Sequence, residues 1–107
     1  FSDDIWADPE TAFTEFHAAG RYCSALRSEG FEVTENLAGI PTAFSGRFGS
    51  GHPVIGVLAE FDALSGLSQE CGETESRTSG GACGHGCGHN LLGTASLGAA
   101  IAIKRFR

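Results

Sequence analysis

The stretch VIGVLAEFD, residues 54–62, sets an unbroken apolar run directly against two carboxylates. Val54 to Ala59 is too short for a typical helix and lacks the alternation of a half-exposed strand. It therefore predicts a strand buried on both faces and placed centrally in a sheet. Open α/β sheets bind their ligands in the crevice outside the carboxyl ends of the strands, so Glu60 and Asp62 stand where such a site belongs. Spacing alone accounts equally well for a pair of solvated loop acids.

The segments on either side complete an α/β pattern. Ile5 and Trp6 begin an apolar helical face, and Asp8-Pro9 ends it because the residue before proline is pushed out of the α region. A second helix is predicted with Thr14 as N-cap and Phe16, Ala19, Gly20, Cys23 and Leu26 at helical spacing, until Gly30 supplies the C′ residue. His17 falls in this helix and reads as a surface histidine. The period then drops to two through Phe31, Val33 and Leu37, and Thr42 to Phe48 makes a second extended stretch. Gly49 to Pro53 is a turn, with His52 solvated in it. Residues 65–82 are polar, glycine-rich and without period, which predicts a long loop. Beyond them Leu91, Leu92, Ala95, Leu97, Ile101 and Ile103 make a helix apolar nearly all round, expected to be buried.

Size and charge exclude several roles. At 107 residues the chain makes one domain at most, with a modest core. A net charge of −6, with seven basic residues of which Lys104, Arg105 and Arg107 bunch at the end, argues against nucleic acid. No apolar run approaches the ~20 residues of a membrane span, and Phe1 to Asp4 lacks the features of a signal peptide, so a soluble cytoplasmic protein is expected. Sixteen glycines in this length are roughly twice the usual ~7%.

Three of those glycines alternate with cysteine and histidine in GGACGHGCGHNLLGT, residues 80–94. Cys83, His85, Cys87 and His89 admit three readings: metal ligands, disulfides, or a plain glycine-rich loop. An even count of four cysteines permits disulfides, but three crowd between residues 71 and 87 and no export signal accompanies them, so metal binding ranks higher. Cys23 and Cys71 read as ordinary buried or loop thiols. Residues two apart in an extended stretch face the same way, so Cys87 and His89 can reach one ion together, whereas closing all four donors around it would strain seven residues. The remaining ligands must then come from elsewhere, and Glu60 or Asp62 can act as ligand or as a partner behind one. Gly84, Gly86 and Gly88 leave the backbone free to approach an ion. A dinucleotide fingerprint fails, since position 89 is not glycine.

PVIGVLAEFDALSGLSQ followed by GHGCGHNLLGTASLGAA resembles the metal-dependent amidohydrolases of the aminoacylase and carboxypeptidase superfamily, most closely their p-aminobenzoyl-glutamate utilisation branch, related to hippurate hydrolase. IWADPETAFTEF and Ala38 to Thr42 extend the likeness over nearly the whole chain. The resemblance implies the N-terminal part of an α/β/α zinc-peptidase-like catalytic domain. It implies Cys87 and His89 as ligands of a two-metal site holding zinc or manganese, and Asp62 as support for that site. Glu60 takes a place where other branches carry a histidine ligand, and His85 matches a position that is not a ligand. Ser65 stands where proline is common, and Asn90 where hippurate hydrolases have aspartate. The implied reaction is attack of a metal-activated water on the amide carbonyl of an N-acyl or aminobenzoyl amino acid, a glutamate carrying the proton. That glutamate, the other ligands and a lid domain that forms a homodimer are expected beyond residue 107, so no catalytic base lies in this stretch and the chain alone should be inactive. Two rival readings differ in class: a non-catalytic zinc module closed by Cys83, His85, Cys87 and His89, and a truncated product acting only by pairing with another chain.

Overall fold

A computed structural model of the chain describes residues 1–106. It has mixed α/β content: α1 (Ser2–Ala7), α2 (Phe16–Ser28), β1 (Glu32–Glu35), a 3-10 turn at Leu37–Gly39, β2 (Phe44–Arg47), β3 (Leu64–Ser65), β4 (Cys83–Gly84) and α3 (His89–Phe106). β1 and β2 form an antiparallel hairpin with Val33 opposite Gly46, and the two-residue strands β3 and β4 pair antiparallel at the ends of the 65–82 loop. No described helix is long and apolar enough to cross a membrane.

Helix α2 ends as its sequence predicts. Gly30 has φ 76° and donates to the Arg27 carbonyl, while Phe31 donates to Leu26, the paired bonds that close a helix on a left-handed residue. Its beginning differs from expectation. Thr14 does not cap it; the hydroxyl turns back to the Thr11 carbonyl at 2.7 Å. The two oxygens of Glu10 instead accept from the backbone of His17 and Ala18, at 2.9 and 2.8 Å. A carboxylate there satisfies two unpaired N–H groups and meets the positive end of the helix dipole. The Glu10 carbonyl also accepts from Ala63 at 2.7 Å, which ties the start of α2 to the segment carrying the two candidate carboxylates. His17 is exposed, as expected, beside Asp8.

The core is an aromatic stack under that same segment. Ile5, Ala18 and Tyr22 are buried, with Phe44, Phe61 and Leu97 packed against them. The Tyr22 ring lies 4.8 Å from Phe61 and meets Phe1 edge-on at 4.9 Å. At the far end of α3, Lys104 sits over the rings of Phe31 and Phe48 and donates to the Glu29 carbonyl, and Arg105 grips the Glu29 carboxylate at 2.7 and 2.9 Å. These bonds take Lys104 and Arg105 beyond a merely solvated helix end; Arg107 lies outside the described residues.

Two expectations are corrected. Residues 54–59 do not form a strand, and Val54, Ile55 and Leu58 are 71%, 79% and 90% exposed. Helix α3 is not buried all round either: Leu91, Leu92, Ile103 and Phe106 are open. Both have one cause. A strand apolar on two faces needs neighbours along both edges and a layer over each face. Here α3 runs beside the segment, with the Ser96 hydroxyl donating to the Leu58 carbonyl at 2.7 Å, and no strand among the described residues pairs with it.

Candidate metal centre

Glu60 and Asp62 lie two apart in extended chain, with Phe61 between them. Alternation turns the Phe61 ring into the aromatic stack and sends both carboxylates to the opposite side. There they meet His89, the first residue of α3. The close approach of α3 depends on Gly93. A Cβ at that position would stand 2.3 Å from the Tyr22 hydroxyl oxygen and 3.0 Å from the Glu60 carbonyl.

His89 is held from both sides. Its Nδ1 lies 2.9 Å from Asp62 Oδ1 and 3.0 Å from the Asp62 carbonyl, and its Nε2 lies 3.4 Å from Glu60 Oε2. Two acceptors at Nδ1 favour a proton on that nitrogen, and in the neutral ring that tautomer leaves the lone pair on Nε2. The side chains of His89 and Asp62 are 15% and 22% exposed and that of Glu60 is 66% exposed, so the group opens to solvent on the Glu60 side. One donor atom from each of the three residues falls within 4.8 Å of the others, and they are the group of three or more such donors found among the described residues.

Cys87 does not join them. The chain turns at Gly86 and Cys87, closed by the Gly88 amide donating to the His85 carbonyl at 2.8 Å, with φ 86° at Gly88. The strand alternation that predicted Cys87 beside His89 fails in a turn, and the thiol is exposed. The four-donor arrangement is dispersed as well. Cys83 donates from Sγ to the Pro9 carbonyl at 3.3 Å, His85 is buried, and Cys87 points outward, with no disulfide. Cys23 is buried and Cys71 exposed, as expected.

Beside the turn, Gly84 lets two backbones touch, since a Cβ there would meet the Ser68 Cα at 2.5 Å and the Leu67 carbonyl at 2.7 Å. That contact presses His85 inward to 3% exposure, with neither ring nitrogen in a hydrogen bond. Burial lowers its pKa; the Ile5 carbonyl, close by but out of bonding geometry, opposes this, His89 adds to it and Asp62 opposes it. The folded chain therefore favours a neutral ring. The stability this confers is full above the unfolded value of ~6.5 and is lost as acid protonates the folded ring. Metal-free His85→Gln should lose less stability than the parent chain between pH 7.5 and 5, measured by urea unfolding; equal losses would contradict a buried neutral imidazole.

Over 106 residues, 98% of its length, the chain is 54% identical to one of the subunits of the p-aminobenzoyl-glutamate hydrolase of Escherichia coli. The resemblance holds: over nearly its whole length the chain is similar to a p-aminobenzoyl-glutamate hydrolase subunit. It is also 28% identical over 111 residues to the Xaa-Arg dipeptidase of Mus musculus. No family model matches it. The chain spans 22% of the length of each of these relatives.

Of the residues the sequence singled out, the structure brings His89, Asp62 and Glu60 together and leaves Cys87 apart. Sequence reasoning missed Glu10, whose capping contact crosses seven and eight residues and leaves no local signature. Tyr22 and Phe61 were also missed as supports of the site, although a lone aromatic between two acidic residues in an extended run is the signal that could have found Phe61.

Proposed function

We propose that the chain is the N-terminal portion of the catalytic domain of a metal-dependent amidohydrolase, of the α/β/α zinc-peptidase-like fold, cleaving an amide between an amino acid such as glutamate and an aminobenzoyl or acyl group. The carboxylate–imidazole pair of Asp62 and His89 at 2.9 Å carries this reading, in a chain 54% identical to a hydrolase named for that substrate.

The donor set fits a divalent metal. An imidazole nitrogen with its lone pair free, a carboxylate beside it and a thiol two residues before it are the groups zinc takes, and manganese accepts the nitrogen and oxygen donors. His89 and Cys87 would hold the ion, with carboxylate help from residues 60 and 62, once the 85–88 turn brings Cys87 inward. When bound, such an ion supplies Lewis acidity and a nucleophile at neutral pH. The chain's own part is positional. Asp62 fixes the tautomer and direction of His89, and the stack of Tyr22 on Phe61 keeps both carboxylates aimed across at it. The general base, the ligands of a second metal and the lid domain of a cytoplasmic homodimer belong, in this reading, to the further length over which the relatives extend.

Release of glutamate from p-aminobenzoyl-glutamate tests this. The full-length parent should catalyse it with added zinc or manganese and lose at least about tenfold with Asp62→Asn, while the 107-residue chain should release none above blank. Metal-dependent release by this chain alone, abolished by Cys87→Ala, would overturn the division of labour, and an inert full-length parent would overturn the function.

A further inference from the structure

Resting on the amidohydrolase reading, we propose that Phe13 is a substrate contact, its ring packing against the aromatic ring of the aminobenzoyl group. What points to it is an aromatic residue that is both strained and exposed. Residues 11–14 form a turn closed by the Thr14 amide donating to the Thr11 carbonyl at 3.0 Å. Phe13 is the third residue of the turn and has φ 68°. A type II turn reserves that position for glycine or asparagine, because a Cβ crowds the backbone there. Elsewhere the chain uses glycine for such backbone, as at Gly30, Gly66 and Gly88. Phe13 is nevertheless 67% exposed, so little packing among the described residues offsets the strain. Phe16 is also exposed, but on an ordinary helical turn, and exposure without strain asks for no explanation.

The turn is held from several sides. The Thr14 hydroxyl donates to the Thr11 carbonyl at 2.7 Å, and the two threonine hydroxyls stand 3.3 Å apart. Just before the turn, the Glu10 carboxylate caps α2 while its carbonyl accepts from Ala63, and Thr11 lies beside Ala63 in a parallel bridge. Strain of this kind persists where the surrounding structure over-determines it, and it gathers at ligand clamps. Here the strained turn is tied to the residue that follows Asp62. One strand spacing and three steps along the chain separate Phe13 from Asp62, a span of no more than about 16 Å between Cα atoms. A phenyl side chain reaching from one end and an aminobenzoyl-glutamate lying at the metal centre from the other close that gap. The chemistry also matches, since offset or edge-on aromatic pairs attract beyond the area they bury, and the glutamate half of the substrate has no ring to offer.

Steady-state kinetics of the full-length parent on p-aminobenzoyl-glutamate test this, with thermal unfolding of the same proteins. Phe13→Gly should raise KM about tenfold and leave kcat within about threefold, the pattern of a contact made equally in the ground and transition states. Phe13→Tyr keeps the ring and should return KM to within about twofold of the parent. Phe13→Leu keeps apolar bulk without a ring and should stay closer to the glycine variant than to tyrosine. The unfolding temperature separates a substrate contact from burial under a later segment of the parent. Glycine suits φ 68° and an exposed ring supports little packing, so Phe13→Gly should unfold no lower than the parent. An unchanged KM, a leucine variant that matches the parent, or a glycine variant that unfolds several degrees lower would overturn the proposal and leave the amidohydrolase reading standing. A parent that does not hydrolyse p-aminobenzoyl-glutamate would remove both.

Discussion

Tyr22→Ala is expected to cost about 3–5 kcal/mol, the range for removing a large buried aromatic. Against a total stability of about 5–15 kcal/mol, that brings the chain close to unfolding at room temperature. Tyr22 is 2% exposed and touches every part that builds the site: Phe61 between the carboxylates, Phe1 from α1, Phe44 from the hairpin, and α3 at Gly93. The ring rather than the hydroxyl carries this load. Burial raises the hydroxyl's pKa, and Thr94 beside it opposes the rise without a bond of good geometry. Tyr22→Phe should therefore stay within about 1 kcal/mol of the parent. Gly93→Ala should destabilise by about 1–3 kcal/mol through overpacking, less about 1 kcal/mol returned by alanine's helix preference. In Tyr22→Phe/Gly93→Ala the nearest clash is gone, so the double variant should be more stable than the sum of the two single changes. Urea unfolding of the four proteins measures this, and strict additivity would show that the hydroxyl does not limit the approach of α3.

What the sequence made legible is what local chemistry decides. The break at Pro9, the left-handed Gly30 and the period-two stretches that became β1 and β2 each depend on residues within a few positions; Leu37 departs, lying in the 3-10 turn after the left-handed Asn36. Asp62 and His89 were also placed together, because a strand-end carboxylate and a metal-type histidine are both recognisable as types. The failures have a common form. Val54 to Leu58 and the open face of α3 carry the composition of buried elements, but composition states what a segment needs and not whether 107 residues contain it. Cys87 was assigned by strand alternation where Gly86 and Gly88 turn the chain. Thr14 met the local rule for a cap, yet Glu10 won the position because a carboxylate bonds two amides at once and gains from the helix dipole.

His89→Ala should abolish metal binding, lowering cobalt or zinc affinity by well over the ~100-fold that loss of a supporting partner can cost. No other residue in the group can replace it. Its ring is the meeting point of both carboxylates, and removing it leaves Asp62, 22% exposed, with its charge facing a void. Fold stability should respond much less than affinity. The core of Ile5, Ala18 and Tyr22 and the ties of α3 to Glu29 are built without a metal, so an ion can add only the linkage energy set by its free concentration and affinity. A closed structural zinc behaves otherwise, because there the binding free energy of about 10–16 kcal/mol is the folding free energy. The two cases separate in one measurement: zinc content after dialysis, with thermal unfolding before and after chelation. The dispersed positions of Cys83, His85 and Cys87 predict that zinc dialyses away and that the chelated chain unfolds within a few degrees of the untreated one. One zinc retained per chain, with collapse of the fold on chelation, would require those donors to gather around the ion, would make the metal a structural element and would count against the proposed function.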